Sequence, residues 1–210
     1  MIRPATEADL LPASQVCARA FDSDNLFGEL IHKYRRQYPE DVHIYFLRRF
    51  LSKFPKPDNT FLVSTDENDV IVGLAHWCRF RAGEGDDEQP IGDHGLPPNR
   101  AADPENEDII ERSMKYAEHF WSDKRAESWY LSCLAVDPST QGKGVGKPLV
   151  AWGFEQAAKE GVCVSVISAK GKQPFYVKCG FGPEKVGNAC DGEGNPLLGI
   201  EGGDIFFHDI

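Results

Sequence analysis

The stretch over residues 131–159 constrains the fold more than any other part of the chain. It consists of an apolar run, an Asp137-Pro138 turn, a glycine-rich segment over residues 141–146 and a segment that reads as a helix. A strand, a tight turn and a helix N-terminus in succession direct several backbone N–H groups at one point, where the helix dipole adds positive charge. The sequence therefore predicts an anion site here, with phosphate as its ligand.

The glycine spacing narrows the kind of phosphate site. The segment is not GxxxxGK[ST], because Lys147 is followed by Pro148. It is not GxGxxG either, because Pro148 stands near the position of the third glycine. It does match Q/R-x-x-G-x-G/A from Gln141 to Gly146. The alternative interpretation is an ordinary strand-to-helix turn that needs glycines for its geometry.

A second segment, residues 175–181, reads FYVKCGF and lies roughly thirty residues after the loop. In this order and at this separation, the two segments resemble the acetyl-CoA loop and the FYxKxGF segment of the GNAT N-acetyltransferases. Upstream of the loop, the resemblance also rests on Leu131, Leu134, Val136 and Pro138. It implies an α/β fold with a central mixed sheet flanked by helices, the GNAT acyl-CoA N-acyltransferase fold.

The order of elements predicted from periodicity fits this fold over nearly the whole chain. Strands are expected at residues 2–6, 60–65, 70–80, 129–136, 162–168, 181–189 and 203–208. Helices are expected at residues 6–21, 30–54 with an interruption near Pro39, 105–121, 145–159 and 173–179. The sequence contains no internal repeat and no linker. We therefore expect one N-acetyltransferase domain over residues 1–210, with an acidic loop insertion at about residues 82–104.

Composition excludes several function classes. A hydrophobic content of 41% in 210 residues predicts a globular chain, and no apolar run approaches the length of about 20 residues that a membrane span needs. The first residues match neither a secretory signal nor a transit peptide. We expect a protein without a membrane partner, in the cytoplasm or alternatively the nucleus, as a monomer or homodimer.

The charge of the chain is concentrated in one segment. The net charge is −10, and residues 82–111 contain ten acids and one base. Such a balance argues against nucleic acid as a partner. The acidic segment has two interpretations, a collector of cationic amine substrates or a solvated loop. The six cysteines form no CxxC pair, which predicts reduced thiols and no metal site.

The family resemblance, not the spacing, implies which residues bind acetyl-CoA. In the family, loop N–H groups hold the pyrophosphate, and the exposed edge of the preceding strand pairs with the pantetheine arm, here with Leu134 nearest the thioester carbonyl. The implied residues are Leu134, Ala135, Val136, Gln141, Gly142, Lys143, Gly144, Val145, Gly146, Lys147, Ser168 and Lys172. Lys172 departs from the family, where many members have Asn or Gly. Either the turn is shifted by one residue or Lys172 faces the CoA phosphates.

Acetyl transfer needs a general acid and a base. Tyr176 resembles the family's acid, which protonates the leaving thiolate; its alternative role is packing of the short helix. His76, Glu127 and Ser132 are candidates for removing or relaying the amine proton, although a lone histidine on an apolar strand is more often a core residue. Cys133 as a nucleophile would imply a ping-pong route, but its place in an apolar run predicts an inert thiol.

These observations predict an acetyl-CoA-dependent N-acetyltransferase that acts on a primary amine by direct attack in a ternary complex. The acceptor is a small-molecule or peptide amine. Its site could be walled by aromatic residues that could equally be core: Tyr45, Phe46, Phe50, Trp77 and Trp121. Two alternatives stay open, a catalytically silent CoA-binding sensor or interaction module and a protein or peptide lysine acetyltransferase.

Overall fold

A seven-stranded sheet organises the protein in a computed structural model, which describes residues 1–83 and 91–210. Its strands are β1 (Ile2–Pro4), β2 (Asn59–Thr65), β3 (Ile71–Phe80), β4 (Ser128–Val136), β5 (Cys163–Ala169), β6 (Gly187–Asn188) and β7 (Gly202–His208). They lie in the order β1-β2-β3-β4-β5-β7-β6. Only β4 and β5 pair in parallel, and the other neighbours are antiparallel. The mixed sheet confirms the predicted fold class.

Five α-helices flank this sheet in the described part of the chain. They are α1 (Leu10–Ala20), α2 (Val42–Lys53), α3 (Ile109–Met114), α4 (Gly146–Glu160) and α5 (Gln173–Cys179). A π-helical segment, Asn25–Ile31, lies between α1 and α2, and the side chain of Asp24 caps it by accepting from two backbone N–H groups. Within residues 1–83 and 91–210, no helix combines the length and apolarity that crossing a bilayer requires.

Three predicted elements are shorter than expected. The helical segment predicted over residues 30–54 is an α-helix only in α2, which turns and a 3-10 turn at Pro39–Asp41 precede. The helix predicted over residues 105–121 contains only α3, followed by a 3-10 turn at Glu118–Phe120. The carboxylate of Asp103 accepts from the backbone of Glu105 and the side chain of Asn106, but the turn that it caps becomes an α-helix only from Ile109. The strand predicted over residues 181–189 is reduced to β6, since Pro183 cannot donate to a ladder.

The two faces of the sheet carry separate cores. The first core lies under α1 and α2 and includes Leu74 and Ala135. The second lies under α4 and α5 and includes Trp77, Leu131 and Val166. Alternate residues of β3 and β4 therefore point to opposite faces, as strand geometry requires. We call these the α1/α2 face and the α4/α5 face.

Gly153 allows α4 to approach the sheet. A Cβ atom there would lie 2.3 Å from the ring of the fully buried Trp77. Gly153→Ala should lower the free energy of unfolding by about 1–3 kcal/mol, because overpacking outweighs the gain in helix propensity of about 1 kcal/mol. Urea denaturation measures this change. In a Trp77→Leu background the same substitution should cost less, and an equal cost in both backgrounds would contradict the steric explanation.

Candidate active site

Strands β4 and β5 separate halfway along their length. They pair only from Ser128 opposite Cys163 to Leu131 opposite Val166. Beyond this point β4 continues to Val136, while β5 continues to Ala169 paired with β7 on its other side. The edge of β4 that faces β5 is therefore open from Ser132 onward, in the middle of the sheet.

The open edge presents the backbone groups of Leu134 and Val136. The N–H of Asp137 is directed toward β3 and donates to the carbonyl of Val72 at 2.9 Å. Because backbone groups alternate in direction along an antiparallel pair, Ala135 also faces β3, and Leu134 and Val136 face the opening. The Val136 carbonyl accepts from Gln141 Nε2 at 3.0 Å, which ties the loop to the strand.

A bulge in β4 lies at the point of separation. His76 is opposite Cys133 and Trp77 is opposite Leu131, which leaves Ser132 without a partner on β3. Leu131 and Leu134 both pack in the core on the α4/α5 face. The two residues between them, Ser132 and Cys133, therefore lie toward the α1/α2 face.

The glycine-rich loop follows directly and is open to a ligand. Gly142 and Gly144 have φ angles of 77° and 84°, which side-chain-bearing residues rarely adopt. The N–H groups of Gly142, Gly144, Val145 and Gly146 find no acceptor among the described residues, and α4 has no side-chain cap. These donors and the dipole of the 15-residue helix α4 together form a site for an anion.

The base of this loop is fixed by Asp137. Its carboxylate accepts from the hydroxyl of Ser139 at 2.6 Å and from its backbone N–H at 3.0 Å. Arg19 of α1 donates to the same carboxylate at 2.8 Å. The bonds from Ser139, followed by that from Arg19, lower the pKa of Asp137. An ionised Asp137 therefore holds the turn and leaves the loop amides available.

Three predicted lysines lie exposed around the loop. Lys143 belongs to the loop, Lys147 lies in the first turn of α4, and Lys172 precedes α5. Their ammonium groups form no ion pair with the carboxylates of the described residues. The turn before α5 is closed by the Lys172 carbonyl, which accepts from the N–H groups of Phe175 and Tyr176. The backbone of Lys172 is thus structural, while its side chain stays available for a phosphate.

Tyr176 lies in α5 and packs in the core on the α4/α5 face. Its side chain is buried, with 8% exposure, and its ring meets Phe181 edge-to-face at 5.5 Å. Burial, with smaller contributions from Cys133 and Cys179, raises its pKa, so the phenol keeps its proton at neutral pH. Its hydroxyl bonds to no other described residue. Leu134 of the open part of β4 packs against the same core.

Ser168 is less accessible than the other predicted acetyl-CoA residues. It is buried, with 2% exposure, and its hydroxyl donates to the carbonyl of Ala169 at 3.1 Å. A contact with pantetheine would require this hydroxyl to rotate away from Ala169. The contact of Ser168 with the pantetheine arm stays a prediction.

Glu127 lies far from the loop. It precedes β4, so that about seven residues of strand, roughly 23 Å, separate it from Leu134. Its carboxylate accepts from the N–H of Ala82 at 3.0 Å and pairs with Arg79 at 2.5 Å. The bond from Ala82, then that from Arg79, lowers its pKa. Glu127 joins β3 to β4 and is not placed to receive a proton from an amine near Leu134.

His76 is a satisfied core residue. Its Nε2 lies 2.7 Å from Oδ1 of Asn59, and its ring stacks on Phe61 with centroids 4.1 Å apart. Burial is the main cause that lowers its pKa to about 3. A lone histidine on an apolar strand is usually a core residue, and this role fits His76 better than that of general base.

The buried histidines predict how stability depends on pH. Burial lowers the pKa of His32 to about 4 and that of His76 to about 3. In the unfolded chain, histidine rings take up a proton at about pH 6.5. The contribution of the buried neutral rings to the free energy of unfolding is therefore fully present above that pH and decreases as pH falls toward 4. Urea denaturation at a series of pH values should show this decrease. Replacing His76 by Phe should make this decrease in stability smaller. An unchanged dependence of stability on pH would contradict the conclusion that His76 is buried as a neutral ring.

Cys133 is half-buried rather than buried as expected. It packs against the first core, where the fully buried Tyr45 also lies. Electrostatic interaction with Cys133 contributes to the raised pKa of both Tyr45 and Tyr176. The Tyr45 hydroxyl has no hydrogen-bond partner within the described residues. Tyr45 and Tyr176 belong to the cores on opposite faces of the sheet.

The predicted aromatic wall divides into two groups. Tyr45, Phe46, Phe50 and Trp77 are core residues. Trp121 is partly exposed and contacts Tyr130 and Phe80. Of the five predicted residues, Trp121 alone is partly exposed.

Several acids of the predicted insertion and of the segment that follows it form ion pairs. Asp103 pairs with Lys33, Glu107 with Arg48, Glu111 with Arg49 and Asp108 with Arg112. Such pairing favours a structural role over a collector of cations for these carboxylates. The remaining part of the prediction, at Glu84, Asp86, Asp87 and Glu88, lies outside the described residues.

Sequence comparison supplies the observation that decides the family. Residues 27–181 match the model of the acetyltransferase (GNAT) family, a range that contains the loop, both separated strands and α5. The chain belongs to the GNAT acetyltransferase family. A curated acetyltransferase from Stachybotrys chartarum is 22% identical over 196 residues, covering 86% of this chain and 79% of the relative.

Solved GNAT structures share the fold at low identity. Histone acetyltransferase HPA2 and related acetyltransferase from Corynebacterium glutamicum superposes with a TM-score of 0.63 at 18% identity, covering 99% of this chain and 94% of the other. PaiA N-acetyltransferase from Thermoplasma acidophilum, solved with coenzyme A, superposes with a TM-score of 0.54 at 14% identity, covering 100% and 98%. These similarities confirm the GNAT fold predicted from the two sequence segments.

Proposed function

We propose that this GNAT protein transfers an acetyl group from acetyl-CoA to a primary amine by direct attack in a ternary complex. One observation carries the proposal: an open strand edge continues directly into a loop with unbonded amides, and a protonated phenol packs in the core against which Leu134 of that edge lies. An anionic cofactor with an extended amide-bearing arm fits this arrangement. The Thermoplasma relative solved with coenzyme A is consistent with such a ligand.

The acetyl-CoA contacts follow from the available backbone groups. The amides of Gly142, Gly144, Val145 and Gly146 would bind the pyrophosphate, with Lys143, Lys147 and Lys172 adding positive charge. The pantetheine amides would pair with Leu134 and Val136, as an added strand pairs with a sheet edge. In this arrangement the thioester carbonyl would lie nearest Leu134.

The chemistry uses the two faces of the sheet. The amine nitrogen attacks the thioester carbonyl carbon, and the carbon–sulfur bond breaks as the tetrahedral intermediate collapses. The departing thiolate takes the proton of the Tyr176 phenol, which burial keeps protonated by raising its pKa. The phenolate that remains regains a proton from solvent before the next turnover. The proton of the amine leaves to water held near Ser132 on the opposite face. Cys133 forms no acyl intermediate in this route.

The chain is proposed to act as one domain over residues 1–210. Strand β7, near its end, pairs with β5, and β1, near its start, pairs with β2. The ordered sheet therefore requires both ends of the chain. Removal of either terminal strand would expose an edge of the sheet.

A thiol-release assay tests the proposed function. Purified protein is mixed with acetyl-CoA and a panel of amines, free coenzyme A is followed by its thiol, and the acetylated amine is identified by mass spectrometry. Turnover that depends on a small amine supports the proposal. Tight acetyl-CoA binding without turnover would favour a silent binding module, and turnover on lysine peptides alone would favour a protein acetyltransferase.

A further inference from the structure

Helix α2 carries two buried polar atoms that have no partner. Tyr45 is fully buried, and its hydroxyl forms no hydrogen bond within the described residues. Arg48, three residues further along α2, has a buried Nε–H that is unpartnered there as well. Residues three apart lie on the same side of a helix. Because an unpaired polar atom inside a protein destabilises the fold, the two atoms together indicate a polar ligand on this side of α2.

Tyr45 lies beside the open part of β4. Val42, the first residue of α2, and Pro138, two residues after β4, line the same surface cavity. From there α2 runs toward the start of β4, because the next strand, β2, begins at Asn59 opposite Cys78, near the end of β3 that pairs with the start of β4. Three residues of helix, about 4.5 Å, separate Tyr45 from Val42. Tyr45 is therefore level with the last residues of β4.

The core that contains Tyr45 extends across the opening between β4 and β5. Cys133, next to Leu134 in the open part of β4, packs against this core. Cys190 and Leu197 belong to the same core, although they come from the connection between β6 and β7, on the other side of β5. Cys133 is partly exposed, so the core reaches the surface beside the open edge. A substituent on an amine near Leu134 would enter the core at this point.

The surroundings of the two unpartnered atoms favour an oxygen as their ligand. Arg48 pairs with Glu107. Arg49 stacks on the Tyr45 ring at 3.6 Å and pairs with Glu111, so both guanidinium charges are compensated. Burial is the main cause that raises the pKa of Tyr45, so its hydroxyl keeps a proton to donate. An O–H and an Nε–H donor together match a carbonyl oxygen, which has two lone pairs.

We propose that Tyr45 and Arg48 form a specificity site for the acceptor, which is a primary amine carrying a carbonyl group. The Tyr45 hydroxyl and the Arg48 Nε–H donate to the carbonyl oxygen and hold the amine toward Leu134. Tyr45 determines specificity and takes no part in proton transfer, which stays with Tyr176. The proposal rests on the proposed acetyl transfer and specifies its acceptor.

The test compares amines of equal size with and without a carbonyl group. The pairs are glycinamide with isobutylamine and β-alaninamide with isopentylamine. Tyr45→Phe should lower kcat/KM for the acetylated amides about 10-fold by raising KM, as the loss of a hydrogen bond does, and leave the hydrocarbon amines unchanged. Arg48→Lys, which keeps a cation beside Glu107 but has no Nε–H, should weaken the same amides. Calorimetry should show unchanged acetyl-CoA affinity in both variants.

Stability distinguishes an unpaired hydroxyl from one that the fold uses. Tyr45→Phe should raise the urea midpoint, because it removes an unpaired buried hydroxyl. Tyr116→Phe is the matched control and should lower the midpoint, because the Tyr116 hydroxyl donates to the Gly194 carbonyl at 2.7 Å. A lower midpoint in Tyr45→Phe would show that its hydroxyl supports the fold and would overturn the specificity site.

The kinetic outcomes separate this site from the proposed function. An equal loss for amides and hydrocarbon amines in Tyr45→Phe, or no loss for either, would overturn the specificity site. Wild-type turnover of the hydrocarbon amines alone would also overturn it. Absence of acetyl-CoA binding, or of turnover with every amine, would instead refute the proposed function.

Discussion

Gly144→Glu should weaken acetyl-CoA binding at least about 100-fold, a loss of roughly 2.7 kcal/mol. Gly144 has a φ angle of 84°, and no atom lies within 4 Å of the position a Cβ would take. The fold can therefore accommodate the side chain, but the carboxylate would stand in the anion site and repel the pyrophosphate. Calorimetric titration with acetyl-CoA measures the effect.

The control for this variant lies at the other end of the same helix. Gly161 ends α4 with a φ angle of 67°, and its Cβ position is equally empty. Through backbone strain, Gly161→Glu and Gly144→Glu should each lower the free energy of unfolding by about 1–2 kcal/mol. Gly161→Glu should leave the affinity for acetyl-CoA unchanged. Equal losses of affinity in both variants would indicate a general effect of strain. Retained affinity in Gly144→Glu would refute the loop as the pyrophosphate site.

Tyr176→Phe should lower kcat roughly 100-fold while the affinity for acetyl-CoA changes little. The phenol is buried in the core against which Leu134 packs, and its hydroxyl has no partner among the described residues, so its removal deletes a proton donor without breaking a hydrogen bond. Steady-state kinetics and calorimetry separate the two effects. Tyr34→Phe, on the surface, serves as the matched control. Unchanged turnover would leave Tyr176 with a packing role only.

The pH profile gives an independent test of the same residue. Burial raises the pKa of Tyr176 above the ordinary phenol value of about 10, so the acid form persists through the alkaline range. The value of kcat should therefore not decrease between about pH 7 and pH 10. A decrease with an apparent pKa in that range would show that another group donates the proton.

Local sequence patterns predicted the elements that depend on local chemistry. The glycines at 142 and 144 adopt the left-handed conformations that the loop pattern requires, and α5 has the predicted bounds. The helix expected over residues 105–121 is limited to α3, although Asp103 accepts from the backbone of Glu105 as an N-cap residue does. Periodicity did not predict these bounds. Element type was predictable wherever propensity and tertiary packing agreed.

The features that make the candidate site depend on distant partners. The ring of His76 is buried and its Nε2 contacts Oδ1 of Asn59, 17 residues away, and the carboxylate of Glu127 accepts from Arg79, 48 residues away. The bulge at Ser132 depends on the register with β3, and the open edge of Leu134 depends on where β5 ends its pairing. A single sequence does not show which residues of two strands pair with each other. The phosphate loop was therefore predictable, while the acceptor side required the structure.

Residue-resolved amide hydrogen exchange with and without acetyl-CoA tests the central claim most directly. The account predicts that saturating acetyl-CoA slows exchange at two groups of amides. These are the loop amides of Gly142, Gly144, Val145 and Gly146, and the strand-edge amides of Leu134 and Val136. Ala135, which faces β3, should change least. Protection elsewhere, or no protection at saturation, would contradict the proposal that the loop and the open edge of β4 bind the cofactor.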